Sequence, residues 1–349
     1  MKVLVLMETD VDFGTSAELV TLREKRNHTR LPHKHAPIKE MSNSSRDDSV
    51  DKWTTEDFLV AHRKVVSSGV HNFEFCKIPI PTSIRFDRLR TALGNQATNK
   101  EKKILQLLEF GFPIDCKSEY GVTKPQKNHH SSLGFKDAID KYFRKNLQAQ
   151  AMLGPFEESP IPGLRFSPLM SVPKDEGERR VIVDFSFPPG MSINDGTPQS
   201  TYLGCTIDFD LPSVQSMVRR INELGKGCLL FKRDLKGAFR QFSIDPGSYL
   251  YTGLLWNGKV IIDTRLAMGL RSSAYCCQAV TEIVAKVARR KGHILVYFDD
   301  FGGAELKENA AGTFNHLGIV LKQFGLEEAP DKAVAPATRM DWLGIHFNT

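Results

Sequence analysis

The sequence predicts an α+β fold, an antiparallel sheet with helices packed on one face. The order of patterns carries that expectation: strand, helix, hairpin, helix, hairpin, helix. One hairpin is signalled by Asn257-Gly258 between two apolar runs, a dipeptide that favours positive φ at both central positions. A second is signalled by the apolar run 293–298, the turn residues Asp299-Asp300 and the returning segment FGGAE.

Residues 1–72 read as a flexible or unassigned extension. They hold a basic run at 23–35 and the serine-rich stretch 41–49, with no sustained period. Residues 73–165 read as a helical region leading into the sheet. There Ile104, Leu107, Leu108 and Phe110 mark a short helix ending at Gly111. Ala138, Ile139, Tyr142 and Leu147 stripe a helix from 135 to about 151. Gly154, Pro155, Pro160, Pro162, Gly163 and Pro168 make 152–170 a turning connector. From 166 to 349 the pattern sharpens. The run 179–185 is a strand. Leu211, Val214, Val218, Ile221 and Leu224 recur at helical spacing, and Gly225 stops the helix. A buried strand at 228–234 is followed by a short helical run. The runs 249–256 and 259–264 form the Asn257-Gly258 hairpin, and Ser272 is the expected cap of a helix reaching about Lys291. After the 293–298 hairpin come a helix over 307–324 and one last strand, DWLGIHF.

Composition excludes several classes. An apolar fraction of 41% and a charged fraction of 25% are those of an ordinary globular chain. No apolar run reaches the 18 or more residues of a membrane span, and the start is too short in apolar residues for a secretory signal. Six cysteines without C-x-x-C spacing read as reduced thiols of an intracellular protein, cytoplasmic or nuclear. The net charge of +6 permits attraction to a polyanion but does not single one out. His129 and His130 have no acidic or cysteine partner nearby in sequence and read as surface residues.

The chemistry lies in carboxylates. Asp234 ends one apolar strand, and Asp299-Asp300 sit at the tip of a hairpin that the intervening elements can return beside it. Carboxylates crowded at adjoining strand ends need cations to neutralise them. Magnesium takes hard oxygen ligands and keeps positions open for water and phosphate. Two such ions about 3.5–4 Å apart serve an attacking hydroxyl and a leaving pyrophosphate at once. A pair of aspartates in a turn is common by itself; the surrounding motifs make this pair specific.

Tyr297-Phe298-Asp299-Asp300 resembles the Y-x-D-D box of reverse transcriptases. The run 231–239, FKRDLKGAF, resembles that family's first catalytic-aspartate motif. The run 266–273, LAMGLRSS, is similar to its template- and nucleotide-positioning motif. Ser167-Pro168-Leu169 through Lys174, with 180–184 and Asn194-Asp195, resembles the fingers segment that closes over the triphosphate. Gly325-Leu326 with Pro330-Asp331-Lys332 looks like the lysine motif, and 342–345 like the primer-grip strand. The motifs stand in the family's order and cover about residues 73–349. Gly154-Pro155-Phe156, Val172-Pro173-Lys174 and Asp300-Phe301 resemble the enzymes of the DIRS-like and hepadnavirus polymerase group.

The resemblance implies the fingers and palm of a right-hand polymerase and an RNA-directed DNA polymerase activity, a nucleotidyl transfer of dNTPs to a primer 3′ end. It implies two Mg2+ ions, with Mn2+ as a substitute, held by Asp234, Asp299, Asp300 and the carbonyl of Leu235. Lys174 and Arg180 would grip the triphosphate, a point charge and a bidentate fork respectively. Gly237 and Ala238 would offer N–H groups to phosphates. Phe239 would clash with a ribose 2′-hydroxyl, and Met268 and Gly269 would position the template or incoming base. Lys332 would protonate the leaving pyrophosphate. Ala267 and Met268 depart from the family's usual proline and phenylalanine or glutamine. The partners implied are an RNA or DNA template-primer and dNTPs, with no membrane. No room is left after the Trp342 strand for a thumb or a ribonuclease H, so a longer polyprotein is expected to supply them. The alternative is a catalytically inactive, nucleic-acid-binding remnant of a mobile element.

Overall fold

The computed structural model describes residues 53–69, 78–174, 177–209 and 211–349. The basic and serine-rich stretches at 23–35 and 41–49 lie outside them. In chain order the elements are α1 (Thr55–Ser67), α2 (Phe86–Leu93), α3 (Asn99–Phe110), α4 (His130–Leu133) and α5 (Lys136–Gln148). Then come β1 (Met152–Phe156), β2 (Leu169–Pro173), β3 (Arg179–Val183), α6 (Ile193–Gly196), β4 (Thr201–Tyr202), β5 (Cys205–Thr206) and α7 (Val214–Leu224). The chain continues through β6 (Leu229–Asp234), β7 (Gly253–Trp256), β8 (Lys259–Asp263), α8 (Arg271–Ala288), β9 (Leu295–Tyr297) and β10 (Asp300–Glu305). It closes with α9 (Lys307–Gln323), β11 (Val334–Ala337), β12 (Arg339–Trp342) and β13 (Ile345–Asn348).

The sheet that matters has the order β11-β6-β10-β9, and its neighbours pair antiparallel. Side chains alternate across it, and the two faces bury different clusters. Phe301 and Val296 pack with Val280 and Val284 of α8 and Leu317 and Leu321 of α9. Leu230 and Ala304 pack with Met217 and Ile221 of α7 and with Met340, Trp342 and Phe347 of the β12–β13 hairpin. Helices therefore cover both faces, and the expected one-sided packing is corrected. The stripe of α7 needed an apolar partner, and the face away from α8 and α9 supplied it.

The two glycines of FGGAE follow from this. A Cβ on Gly302 would lie 2.9 Å from the Trp342 indole nitrogen, and one on Gly303 would lie 2.4 Å from the Phe231 ring. Each glycine lets an aromatic ring come close to the backbone at the centre of the sheet, one per face.

Other expectations are corrected. Helix α1 falls within the span read as an extension. Its Thr54–Asp57 capping box starts a helix whose Phe58, Leu59, Ala61 and Val65 are buried. The His62 ring is bonded at 2.7 Å to the Pro246 carbonyl oxygen. The 152–170 connector contains a strand, β1, paired with β8. The run 249–256 is a strand only from Gly253, because Pro246–Tyr251 winds into a 3-10 helix. The last strand is two, β12 and β13, joined at Leu343 and Gly344, both at positive φ. Ser272 does not cap α8. The helix begins at Arg271 without a side-chain cap from its own N-cap residue. Asn194 accepts the Arg271 N–H at 2.9 Å instead, from a distant loop. Asn257 and Gly258 both adopt positive φ, as their hairpin requires.

Candidate active site

The sheet register brings the distant carboxylates together. In the β6–β10 ladder Asp234 stands directly opposite Asp300, which sets their Cα atoms roughly 4.5–5.5 Å apart. Asp299 precedes Asp300 in the turn, and its carbonyl accepts the Leu235 N–H at 3.0 Å. Beyond the turn, Tyr297 pairs with Asp300. The loop is thus the two residues Phe298 and Asp299, and Phe298 takes a φ of 53°. A bulky residue in that region is strained. The strain is held in place by Gln278 of α8. Its Oε1 accepts the Phe298 N–H at 2.7 Å, and its Nε2 donates to the Val296 carbonyl at 3.1 Å. The rings of Phe209 and Tyr297 both meet the Phe298 ring edge to face.

Sequence reasoning missed Gln278. The available signal was an amide among Cys276, Cys277, Val280 and Thr281 on a buried helix face, where a polar group must find partners. Gln278→Leu keeps the bulk and strands backbone groups of the turn. It is expected to cost ~1–3 kcal/mol of stability, read from the denaturant midpoint. A change under ~0.5 kcal/mol, within the scatter of neutral surface substitutions, would show the clamp to be dispensable.

Electrostatically the site is strained. Burial pushes the Asp300 carboxyl up to about 6, and the neighbouring Asp234 and Asp299 charges add to it, while Lys232 pulls it down. Burial and the Asp234 charge also raise Asp299, offset by Lys332 and Arg180. The Lys332 ammonium donates to Asp234 Oδ1 at 2.9 Å, which raises its own pKa. Lys232, which sequence reasoning passed over, lies 4.0 Å from Asp300 Oδ2. Asp300 Oδ1 is buried with no hydrogen-bond partner among the described residues. Among the described residues no three His, Cys, Asp or Glu side chains converge into a ready-made metal site. The donor set is nonetheless right for a hard cation: carboxylate oxygens, one of them buried and unpartnered.

The remaining candidates fall at different distances. Leu235 is fully buried behind Asp234. Gly237 adopts a φ of 54° and starts the 3-10 turn Ala238–Gln241, placing Ala238 in the core and Phe239 half-buried against it. In the β2–β3 hairpin, Arg179 lies over the Phe135 ring at 3.9 Å. Its neighbour Arg180 therefore faces the other way, and its charge reaches Asp299. Lys174 is not brought to the carboxylates: its ammonium bonds Glu178 at 3.0 Å across its own hairpin. Met268 is exposed.

Gly269 is wedged against the same hairpin. Its φ is 94°, and a Cβ would stand 2.9 Å from the Val183 carbonyl oxygen. The buried Asn194 amide donates to the Gly269 carbonyl at 2.8 Å. Asn194 thus ties the 268–271 loop to the segment that follows the β2–β3 hairpin, a role its motif position did not reveal. Gly269→Ala is expected to displace this loop at a cost of ~1–3 kcal/mol, seen as a lower melting temperature. An unchanged melting temperature would remove the close-approach argument. His129, read as a surface residue without acidic neighbours, in fact bonds Asp184 at 2.9 Å.

No protein-family model and no curated protein sequence matches the chain. Solved structures do resemble it. It is similar to native Prototype Foamy Virus protease-reverse transcriptase (TM-score 0.52, 19% identity, covering 68% of this chain and 29% of that one). It is also similar to the foamy viral protease-reverse transcriptase dRH in complex with double-stranded DNA (TM-score 0.54, 18% identity, 78% and 48%). A third is the foamy viral protease-reverse transcriptase in complex with an RNA/DNA hybrid (TM-score 0.51, 17% identity, 75% and 35%). The chain spans less than half the length of each of these. At such identities the likeness concerns the fold alone: mixed helix and antiparallel sheet, arranged as in reverse transcriptase structures.

Proposed function

We propose that the chain is the fingers and palm of an RNA-directed DNA polymerase of a retrotransposon-type element. The observation that supports it most is Asp234 opposite Asp300, with Asp299 in the adjoining tight turn, within a reverse transcriptase-like fold. Asp234, Asp299, Asp300 and the Leu235 carbonyl would hold two Mg2+ ions, with Mn2+ as a substitute. Bound there, the ions supply activation of the primer 3′-hydroxyl and charge neutralisation of the pyrophosphate.

The chain's own side chains do the rest. Phosphoryl transfer asks chiefly for positioning and charge stabilisation. Arg180, whose charge already reaches Asp299, grips the triphosphate, and Lys174 reaches it once free of Glu178. The N–H groups of Gly237 and Ala238 face the phosphates, Phe239 lies against the sugar, and Met268 and Gly269 seat the incoming base. Lys332 gives its proton to the leaving pyrophosphate. The partners are a template-primer, in line with the double-stranded DNA and the RNA/DNA hybrid bound by the similar foamy viral structures, and dNTPs. The compartment is cytoplasmic or nuclear, one that keeps the thiols reduced. Among the described residues no helix is long and apolar enough to cross a membrane. Within reverse transcriptases, the segments at 154–156, 172–174 and 300–301 favour the DIRS-like and hepadnaviral group.

The test is extension of a DNA primer on an RNA template by the purified chain, with dNTPs and Mg2+ or Mn2+. Incorporation is the expected result. Primer-template binding without incorporation in either metal would favour the inactive remnant.

A further inference from the structure

The carboxylates at the centre of the sheet face one another yet do not form a ready-made metal site. Two ammonium groups stand against them. Lys332 Nζ is hydrogen-bonded to Asp234 Oδ1 at 2.9 Å, and Lys232 Nζ lies 4.0 Å from Asp300 Oδ2. Each lysine thus faces one of the two carboxylates. Asp300 Oδ1 is left as a buried acceptor without a partner, the kind of atom a small hard cation would take up.

The two lysines differ in their freedom. Lys332 sits on the short 3-10 turn Pro330–Lys332, and its side chain is 57% exposed. Its backbone is tied close by: the Ala329 N–H donates to the Asp234 carbonyl at 2.8 Å, and the Lys332 N–H to the Ala329 carbonyl at 3.0 Å. The turn is therefore anchored while the four-carbon stem is free to swing into solvent. Lys232 is in the middle of β6, flanked by Gly302 of β10 and Val334 of β11, with only 20% of its side chain exposed. Its side chain is largely enclosed.

We infer that Lys332 is a displaceable counter-ion of Asp234, released when a divalent cation binds the carboxylates, whereas Lys232 is a fixed counter-ion of Asp300. This rests on the metal-binding reading proposed above. A divalent ion bound at Asp234 and a monovalent ammonium bonded to the same oxygen repel each other at short range. The ammonium that can leave does so. Lys332 is thereby freed beside the site in the same event that loads the metal, so the proton donor and the metal are made ready together. Lys232 remains, and its charge limits how tightly the empty-handed enzyme holds metal before a nucleotide brings its own phosphates.

The experiment uses the full chain without nucleotide at pH 8, with Mn2+ as the probe. Lysine acetylation rates are followed residue by residue by mass spectrometry, with and without saturating Mn2+, and Mn2+ binding is measured by electron paramagnetic resonance. Acetylation of Lys332 is expected to accelerate about fivefold or more on Mn2+ binding, as the hydrogen bond that ties its ammonium to Asp234 Oδ1 ends. Lys232 should stay slow in both conditions, and the exposed Lys226 should not change. Lys332→Met should bind Mn2+ several-fold more tightly than the unaltered chain, because the competing ammonium is gone. Bound Mn2+ with unchanged or slower Lys332 acetylation overturns the displacement and leaves the metal reading intact. Failure of the unaltered chain to bind Mn2+ overturns both.

Discussion

Asp299→Asn lowers primer extension by at least ~10³-fold, equivalent to ~4 kcal/mol of transition-state stabilisation, without unfolding the protein. The amide keeps the size and the turn but loses the charge that would hold a divalent cation. It cannot be replaced by its neighbours, since Asp234 is committed to the facing strand and Asp300 to the ladder. The same charge is a burden to the metal-free fold. Burial and Asp234 raise the Asp299 carboxyl above its ordinary range, and burial takes Asp300 to about 6. A carboxyl raised in this way contributes its full stability below the unfolded value near 4, and loses it as pH climbs through the folded value. For Asp300 the loss amounts to about 3 kcal/mol by neutral pH. Metal-free protein should therefore melt at lower temperature at pH 8 than at pH 5, and Asp299→Asn should flatten that slope. An Asn variant that melts normally yet still extends primers at a tenth of the original rate would remove Asp299 from the chemistry.

The three aspartates were legible in the sequence because each is marked locally, by a strand end or by a turn. What the sequence concealed was support from afar. Gln278 holds the strained Phe298 from a helix, and Asn194 supplies the cap that Ser272 does not. Lys232 reads as an ordinary strand lysine until β10 is laid beside it. In each case the partner is a backbone group or carboxylate whose position only the tertiary structure sets. The second face of the sheet was hidden for a related reason. The α7 stripe announces that it must be buried, but not against which side. Helix α1 shows the opposite failure, a local signal at Thr54 and Asp57 passed over because the residues before it carry none.

Phe239→Ala relaxes discrimination against ribonucleotides by about two orders of magnitude, ~2.7 kcal/mol in the ratio of kcat/KM values for dNTP and rNTP. The ring follows Gly237 and Ala238 immediately after the Asp234 strand end, and it is half-buried rather than sealed in the core. Ala238 and Phe242, both buried, fix the backbone on either side of it. Truncation thus removes volume beside the proposed sugar position without moving the chain. Because the ring is only partly enclosed, the stability cost should fall below the ~3–5 kcal/mol of a fully buried Phe→Ala change. Deoxynucleotide use should then drop less than tenfold, and Phe239→Tyr should keep the discrimination since it keeps the ring. A core aromatic with no contact to the sugar behaves differently under the same substitution: stability falls and both substrates suffer alike. The ratio, measured on folded protein with matched primer-template, separates the two. If it does not move, Phe239 belongs to the packing of the 3-10 turn and the choice between DNA and RNA precursors is made elsewhere.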